Sequence, residues 1–317
     1  MIRYVLEPGD VSQIRFGISP LCELGLWLRG LRVPDRYPLQ RPWRDRIAPM
    51  LPFLDLEVLL GLVDDRRYVA DFVNPRPASS LTGVDDELAE LGRIPENRFR
   101  EDLERVHGTV PEVFHGDHAT VVARTVAALA GAWRLCFAPY WPRMLAVMQA
   151  DILYRGRVAA ASGLGAALTG LSPHLAFDGR HLDIRLTSPG TRIRPVRGEG
   201  LTLIPSMFVN RVSTMVDDSL PPAVMYAARG QGAMWSDAAR PDAGAVRDLL
   251  GGTRAALLAA LGEPGSSTEL ALRLGVTTSA VNQHLRLLER AGLLNRARYG
   301  RSVLYYRSDL GEALASH

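Results

Sequence analysis

One helix near the C-terminus constrains the fold of this chain more than any other segment, because its two faces differ so clearly. The packing face recurs at the three- and four-residue spacing of an α-helix and consists of Ala280, Val281, His284, Leu285, Leu287, Leu288 and Ala291. The opposite face carries Ser279, Asn282, Gln283, Arg286 and Arg290. A helix with this pattern packs one side against a core and leaves the other side available to a partner.

The residues before this helix predict two further helices and a sharp turn. The first helix is expected to end at Gly262 and to pack through Leu249, Leu250, Leu257, Leu258 and Leu261. Ser266 and Glu269 form a capping box for the second helix, which Gly275 should end in the left-handed conformation. Thr277 then caps the third helix. This order of signals predicts a helix-turn-helix.

The residues after Gly292 predict a β-hairpin, since the pattern alternates around a tight turn at Tyr299 and Gly300. Arg296 and Arg298 should share one face of its first strand, with Arg301 at the tip. Between Thr278 and Arg307, six arginines stand against the single acid Glu289. Guanidinium groups bind phosphates bidentately and favour narrow minor grooves, so the hairpin is interpreted as a DNA-contacting wing. The alternative is a solvated hairpin that only packs on the helices.

This geometry assigns roles to the exposed side chains. Thr278 and Ser279 lie in the first turn of the third helix, where side chains and backbone amides meet bases and phosphates. Asn282 and Gln283 could reach adenine, and Arg286 could reach guanine or a phosphate. The predicted DNA-binding residues are Thr278, Ser279, Asn282, Gln283, Arg286, Arg290, Arg296, Arg298 and Arg301.

The rest of the chain predicts a second domain. A length of 317 residues fits two domains, and 47% hydrophobic residues suffice for buried cores. We expect an N-terminal regulatory or dimerisation domain at 1–228, a linker rich in Gly and Ala at 229–245, and the winged helix-turn-helix at 246–317. The predicted fold class is α+β, with a mostly helical N-terminal domain and a small antiparallel sheet. Expected elements are helices near 20–31, 55–63, 84–91, 95–106, 118–137 and 142–168, strands near 14–18, 201–209 and 221–228, and a hairpin turning at Asp178-Gly179.

Several classes of protein are disfavoured by composition and motifs. Cys22 and Cys136 are far apart in sequence and indicate neither a disulfide framework nor a zinc site. No long uncharged apolar stretch or signal pattern is present, so we expect a cytoplasmic protein without a membrane partner. No catalytic or nucleotide-loop motif occurs, and no enzyme activity, cofactor or bound metal is expected.

Two clusters leave alternatives open. Residues 115–118 could offer two imidazoles and a carboxylate to a metal, although a polar loop with Asp117 as helix N-cap is the favoured interpretation. The aromatic residues around the end of the 118–137 helix could line a pocket for an apolar effector, although ordinary core packing is favoured. These aromatic residues are Trp133, Phe137, Tyr140 and Trp141, with Trp27 and Met148 as possible neighbours.

The C-terminal residues resemble a known family. The segment ELALRLGVTTSAVNQHLRLLERAGLL, followed by RYGRSVLYY, resembles the winged-helix domain of ArsR-type transcriptional regulators over about 70 residues. The N-terminal stretch, including RFGISPLCELGLWLRGL and YVADFVNPRP, is similar to a domain of unknown role that precedes such winged helices in regulators of GC-rich bacteria. The resemblance implies a transcription regulator, here expected to be a repressor, that binds double-stranded DNA.

Two departures from that family matter. The helix at 267–274 lacks the cysteine pair of metal sensors, and only nine residues follow Ser308, which leaves little material for a terminal dimerisation helix. We expect a homodimer whose contacts come from the N-terminal domain or the first helix, and half-sites spaced by about 10 bp or a multiple. Other hypotheses remain open: a protein-interaction module built on the winged helix, or an N-terminal domain that is enzymatic or binds an unknown small-molecule effector.

Overall fold

The computed structural model describes residues 1–77, 79, 82–186, 190–232, 243–299 and 302–315. The chain divides into two compact units, Met1–Trp235 and Ser236–His317. This division falls within the predicted linker 229–245, of which residues 233–242 lie outside the described part. The α+β fold class with a C-terminal helix-turn-helix is confirmed.

Nine helices are described in the N-terminal unit. They are α1 (Pro8–Ser12), α2 (Pro20–Arg32), α3 (Arg41–Ile47), α4 (Leu56–Gly61), α5 (Val84–Leu91), α6 (Glu96–His107), α7 (His118–Ala132), α8 (Trp141–Ser162) and α9 (Leu164–Thr169). The Ser19 hydroxyl caps α2 by accepting a hydrogen bond from the Cys22 amide at 2.9 Å. The single helix predicted near 142–168 is two helices, because Gly163 adopts a positive φ of 85° between α8 and α9.

A π-helical turn at Trp133–Phe137 extends α7. By length and composition alone, His118–Phe137 could cross a membrane. Its residues Leu129, Ala132 and Phe137 are fully buried in the core of this unit. A core helix passes the same test of length and composition, so the apolar sequence is explained by packing.

The N-terminal unit contains two four-stranded sheets of mixed direction. One has the order β3-β4-β1-β5 and the other β2-β6-β8-β7. Their strands are β1 (Ile2–Val5), β2 (Arg15–Phe16), β3 (Leu175–Phe177), β4 (His181–Ile184), β5 (Arg192–Pro195), β6 (Thr202–Ser206), β7 (Val212–Thr214) and β8 (Ala223–Ala227). The predicted hairpin is present as β3 and β4, with Gly179 at a φ of 100°.

The sheets differ from the small antiparallel sheet that was expected. The pairs β1–β5, β2–β6 and β6–β8 are parallel. Strand β1 also pairs with β4, so that Ile2 lies opposite Ile184. Pairing across such a separation in sequence leaves no local turn signal, and the sequence pattern therefore could not indicate it.

Aromatic side chains fill the main core of this unit. Trp27, Trp43 and Phe137 form a cluster of edge-to-face contacts with ring centroids 5.2 to 6.0 Å apart. Phe208 lies 4.9 Å from Trp43, again between ring centroids. The favoured interpretation of the predicted aromatic residues as core packing is therefore confirmed for Phe137, which is fully buried.

Buried carboxylates join distant segments of the same unit. Glu23 accepts a hydrogen bond from the Met207 amide and Glu87 accepts one from the Leu21 amide, each at 2.8 Å. Asp71 accepts from the amides of Val216 and Asp217 at 3.0 and 2.6 Å. Burial raises the pKa of Glu23 and of Glu87 to about 7, and that of Asp71 to about 6.

The C-terminal unit is a small helical domain with a three-stranded sheet. Its described elements are α10 (Ala243–Leu250), α11 (Gly252–Ala260), β9 (Gly265–Ser266), α12 (Ser267–Leu274), α13 (Thr278–Arg290), β10 (Leu294–Tyr299), β11 (Ser302–Arg307) and α14 (Asp309–Ala315). The sheet order is β10-β11-β9. The core consists of apolar residues from all three central helices and the hairpin, among them Leu257, Leu270, Val281, Leu285 and Leu294.

The first helix and the tail differ from the sequence-based expectation. Gly251 adopts a positive φ of 83° and divides the predicted first helix into α10 and α11. Leu249 is consequently 79% exposed and does not belong to the packed side, whereas Leu257, Leu258 and Leu261 are buried as predicted. The short tail forms α14, and Gly311 lies so close to the Leu293 carbonyl that a side chain at this position would clash.

Candidate nucleic-acid interface

The turn between α12 and α13 is built by the capping residues that the sequence indicated. The Ser266 amide donates to the Glu269 carboxylate at 2.7 Å, and the Glu269 amide donates back to the Ser266 hydroxyl at 3.3 Å. The Ser266 amide and hydroxyl both donate to the Glu269 carboxylate and lower the pKa of Glu269 below its usual value. Gly275 ends α12 in the left-handed conformation, with a φ of 67°. Local sequence therefore fixes the angle at which the two helices meet.

The start of α13 offers backbone donors to a ligand. The Thr277 hydroxyl accepts a hydrogen bond from the Ala280 amide at 3.3 Å, which satisfies one of the amides that a helix start leaves open. The preceding amides, of Thr278 and Ser279, have no acceptor within the helix. Together with the positive end of the helix dipole, they suit a phosphate oxygen.

The two faces of α13 separate largely as predicted. Val281, Leu285 and Leu288 are buried in the core. On the other side Ser279, Gln283, Arg286 and Arg290 are exposed, and Thr278 and Asn282 are half-buried. The exposed four follow one another at three- and four-residue steps and therefore form one row along the helix.

Two positions of the packing face were assigned incorrectly. Leu287 is 37% exposed and Ala291 is also exposed. Leu287 lies one residue from buried Leu288, and consecutive helical residues point about 100° apart, so only one of the pair can face a narrow core. The buried stripe is thus the narrower set Val281, Leu285 and Leu288.

The hairpin presents its arginines on the side turned towards the helices. In the register of β10 and β11, Leu294 lies opposite Arg307, Arg296 opposite Tyr305, and Arg298 opposite Val303. Leu294 and Tyr305 are buried, so this face of the ribbon is the one that packs on the helical core. The predicted sharing of one face by Arg296 and Arg298 agrees with this register. Arg301 lies outside the described residues.

Two of the six arginines counted from the sequence are already neutralised. Arg296 forms an ion pair with Glu289 of α13, with 2.9 Å between Nε and Oε1. Arg307 donates to the carbonyls of Leu258 and Ala259 at 2.8 and 2.7 Å, and pairs with Glu312 at 3.2 Å. Arg307 thus holds the end of α11 against the hairpin. Within the described part of the chain, Arg286, Arg290 and Arg298 form no ion pair.

The cluster at 115–118 is a structural loop. Asp117 caps α7 by accepting from the Thr120 amide at 2.9 Å, which confirms the favoured interpretation. Nε2 of His115 lies 3.0 Å from the Val110 carbonyl, and Nε2 of His118 lies 2.9 Å from the Ile94 carbonyl. Among the described residues no group of three or more His, Cys, Asp or Glu side chains could hold a metal ion.

A comparison with protein families agrees with the helix-turn-helix of the C-terminal unit. Residues 249–297 match the family described as helix-turn-helix domain. Reduced HlyU from Vibrio cholerae is 32% identical over 23% of this chain and 79% of its own, with a TM-score of 0.20. No curated protein matches the chain. The chain therefore carries a helix-turn-helix domain, the DNA-binding module of transcription regulators.

Proposed function

We propose that this chain is a sequence-specific transcription regulator of the ArsR type. It binds double-stranded DNA as a cytoplasmic homodimer and represses transcription. Helix α13 enters the major groove, where Asn282, Gln283 and Arg286 contact base edges. The hairpin of β10 and β11 lies along the backbone or the adjacent minor groove.

The exposed row on α13 is the observation that carries this proposal. A helix whose buried side completes an apolar core offers only its other side to a partner, and here that side carries hydroxyl, amide and guanidinium groups. Arg298 extends the positive charge onto the hairpin, on the face that is turned towards the helices. Polar side chains that can hydrogen-bond to bases, flanked by arginines that can contact phosphates, are typical of surfaces that bind duplex DNA.

Binding measurements on the full chain test the proposal. A preferred duplex is first selected from a random pool, and affinities for it and for a random duplex are then measured by fluorescence anisotropy at several salt concentrations. Gln283→Ala should reduce the preference for the selected duplex by about 1–3 kcal/mol. Arg298→Ala should weaken binding to both duplexes alike and lower the salt slope by about 1.

The control is Arg247→Ala, which removes an exposed arginine from α10 of the same unit. It should leave both affinities nearly unchanged. If all three variants lose affinity equally on both duplexes, the assigned roles of helix and hairpin are wrong. If the full chain binds no duplex at low salt, the proposed function itself is wrong.

The dimer and the sign of regulation need separate tests. Light scattering at micromolar concentration should give the mass of two chains, and a monomer would contradict the homodimer. In the source organism, deletion of the gene should raise transcription from promoters that carry the selected sequence. A fall in transcription would indicate activation.

The alternative function, a protein-interaction module, would favour an apolar exposed surface on α13. The single large apolar residue exposed on this helix is Leu287, beside the polar row, whereas Leu272 on α12 is 87% exposed. Leu272→Ser should therefore leave DNA affinity intact under our proposal. Loss of self-association in Leu272→Ser with no DNA binding by the parent chain would favour the interaction module.

A further inference from the structure

The N-terminal unit contains a cleft of about 730 Å³ whose lining includes seven arginines. None of the described lining residues is acidic. Outside 246–317 the sequence holds 28 arginines and 28 acidic residues, so this unit is not generally basic. The concentration of guanidinium groups is therefore a local property of the cleft.

Three of these arginines are paired with carboxylates outside the lining. The pairs are Arg66 with Asp64 at 2.6 Å, Arg105 with Asp102 at 3.0 Å, and Arg192 with Asp218 at 3.2 Å. The other four, Arg29, Arg36, Arg67 and Arg211, form no ion pair with any described residue. About four positive charges around one cavity thus remain without an ion-pair partner among the described residues.

Arg29 is the most informative of the four. Its Nη1 donates to the Ser213 hydroxyl at 2.8 Å, and its Nε is shielded from solvent without a hydrogen-bond partner among the described residues. Burial lowers the pKa of Arg29 and the positive charge of Arg67 adds to the lowering, while the charge of Asp71, which forms no ion pair with Arg29, partly opposes it. A partly desolvated guanidinium without a paired carboxylate is costly, and an anion in the cleft would offset this cost.

Arg67 lines the same cleft from a strained backbone position. Its φ is 72°, in the left-handed region that L residues with a side chain rarely adopt. Asp64 holds this turn, because its carbonyl accepts from the Arg67 amide at 2.9 Å and its carboxylate from the Tyr68 amide at 2.7 Å. Backbone strain held in place by neighbouring hydrogen bonds is frequent at ligand sites.

We propose that this cleft binds a small molecule with clustered phosphoryl groups, contacted by Arg29, Arg36, Arg67 and Arg211. Guanidinium forks match phosphoryl oxygens in geometry, and four unpaired cations suit several negative charges better than a single carboxylate. The volume falls in the range of small-ligand sites. The inference does not depend on the DNA-binding function.

Calorimetric titration of the full chain with sodium tripolyphosphate tests the site. We expect saturable binding with one site per chain, weakened at least about tenfold in the double variant Arg36→Gln with Arg211→Gln. Both residues are exposed, so this variant should fold. The matched control is Arg100→Gln with Arg157→Gln, which removes two exposed arginines outside the cleft and should change affinity less than about twofold.

The winged helix could also attract tripolyphosphate, and a third variant separates the two sites. Arg286→Gln with Arg290→Gln should abolish duplex binding and leave tripolyphosphate affinity unchanged. Equal loss in the cleft variant and its control, or loss confined to the winged-helix variant, would overturn the proposal. A third result would also overturn the proposal: the parent chain binds no tripolyphosphate, and the cleft variant weakens duplex binding. The cleft would then be a nucleic-acid surface. Failure of duplex binding alone would concern only the proposed function.

A second measurement uses the half-buried Arg29. Arg29→Met replaces an uncompensated cation by an apolar side chain of similar length, so the melting temperature without ligand should stay level or rise, while the increase caused by tripolyphosphate should disappear. An Arg29→Met protein that melts at a lower temperature yet keeps the full ligand-induced increase would contradict the proposal.

Adenosine triphosphate serves as a second probe. Tighter binding than tripolyphosphate would indicate a nucleotide, and equal binding would indicate recognition of the phosphate chain alone.

Discussion

In the N-terminal unit, carboxylates such as Glu23 and Asp71 lie inside the fold and accept hydrogen bonds from backbone amides. In the C-terminal unit, none of the described charged residues is buried, and the core is apolar apart from the Tyr305 hydroxyl. The N-terminal unit thus adds buried long-range polar contacts to its apolar core, whereas the C-terminal unit depends mainly on apolar packing with local caps. One chain therefore holds two units that should respond differently to mutation and pH.

The largest expected effect is a cavity in the apolar unit. Leu285→Ala should destabilise the C-terminal unit by about 2–5 kcal/mol, because Leu285 is fully buried in its core. DNA affinity should fall with it, whereas tryptophan fluorescence should be unchanged, since all five tryptophans lie in 1–235. Leu287→Ala is the matched control on the same helix and should cost less than about 0.5 kcal/mol. Equal losses would contradict the narrow buried stripe.

A slightly smaller effect is expected from a buried carboxylate. Asp71→Ala should lower the free energy of unfolding of the N-terminal unit by about 2–3 kcal/mol, since the amides of Val216 and Asp217 lose their acceptor. Urea denaturation followed by tryptophan fluorescence measures this change. Asp71→Asn keeps one acceptor oxygen and should cost less. If Asp71→Ala is as stable as the parent chain, the polar contacts do not hold this unit together.

The two units should also differ in pH dependence. Burial raises the pKa of Glu23 to about 7, so the folded state holds this proton more tightly than the unfolded state, whose glutamates titrate near 4.5. Stability is then greatest below that unfolded value and is lost as pH rises towards 7, by about 2 kcal/mol for one such group between pH 5 and pH 7.

Glu23→Gln should remove this part of the change in the free energy of unfolding between pH 5 and pH 7. The same urea denaturation at both pH values measures it. A variant whose stability changes with pH as steeply as that of the parent chain would rule out titration of Glu23 in this range.

The pH dependence contributed by the exposed Glu269 of the C-terminal unit has the opposite sign. The pKa of Glu269 is lowered, so its contribution is present above the unfolded value and is lost as pH falls through the folded one.

The smallest expected effect is the loss of one helix cap. Thr277→Ala should destabilise the C-terminal unit by about 1 kcal/mol, because the Ala280 amide loses the hydroxyl that accepts its hydrogen bond. Thermal unfolding followed by tyrosine fluorescence or circular dichroism measures it. Thr277→Ser keeps the hydroxyl and serves as the control. A larger effect from the serine variant than from alanine would show that the hydroxyl is not what matters here.

The success of sequence-based prediction follows the same division between the units. The capping box at Ser266 and Glu269, the left-handed Gly275 and the buried Leu285 all depend on residues within a few positions of one another, and each was predicted. The hydrogen bond between Glu23 and the Met207 amide joins positions 184 apart, so no local pattern indicates it. The parallel pairing of β1 with β5 was missed for the same reason.

The exposed row on α13 was predictable from the sequence, but the ion pairs that reduce its available positive charge were not. The row on α13 follows from helical periodicity, whereas the ion pair of Arg296 with Glu289 depends on how the hairpin packs on the helix. Arg307 could not be distinguished from a DNA contact by its charge alone, although the structure shows it binding the end of α11. The arginine cleft was missed entirely, because its members come from segments scattered between residues 29 and 211.

The positive φ at Gly251 also indicates where the C-terminal unit can be excised. A peptide that begins at Gly252 retains every buried residue of this core, from Leu257 onwards, and loses the peripheral contact of Leu250 and the buried side chain of Val246. Such a fragment of 66 residues, Gly252 to His317, has no tryptophan and keeps the helix caps of Ser266 and Thr277 together with its apolar core. If this fragment folds on its own, the helix-turn-helix domain could be fused to another protein.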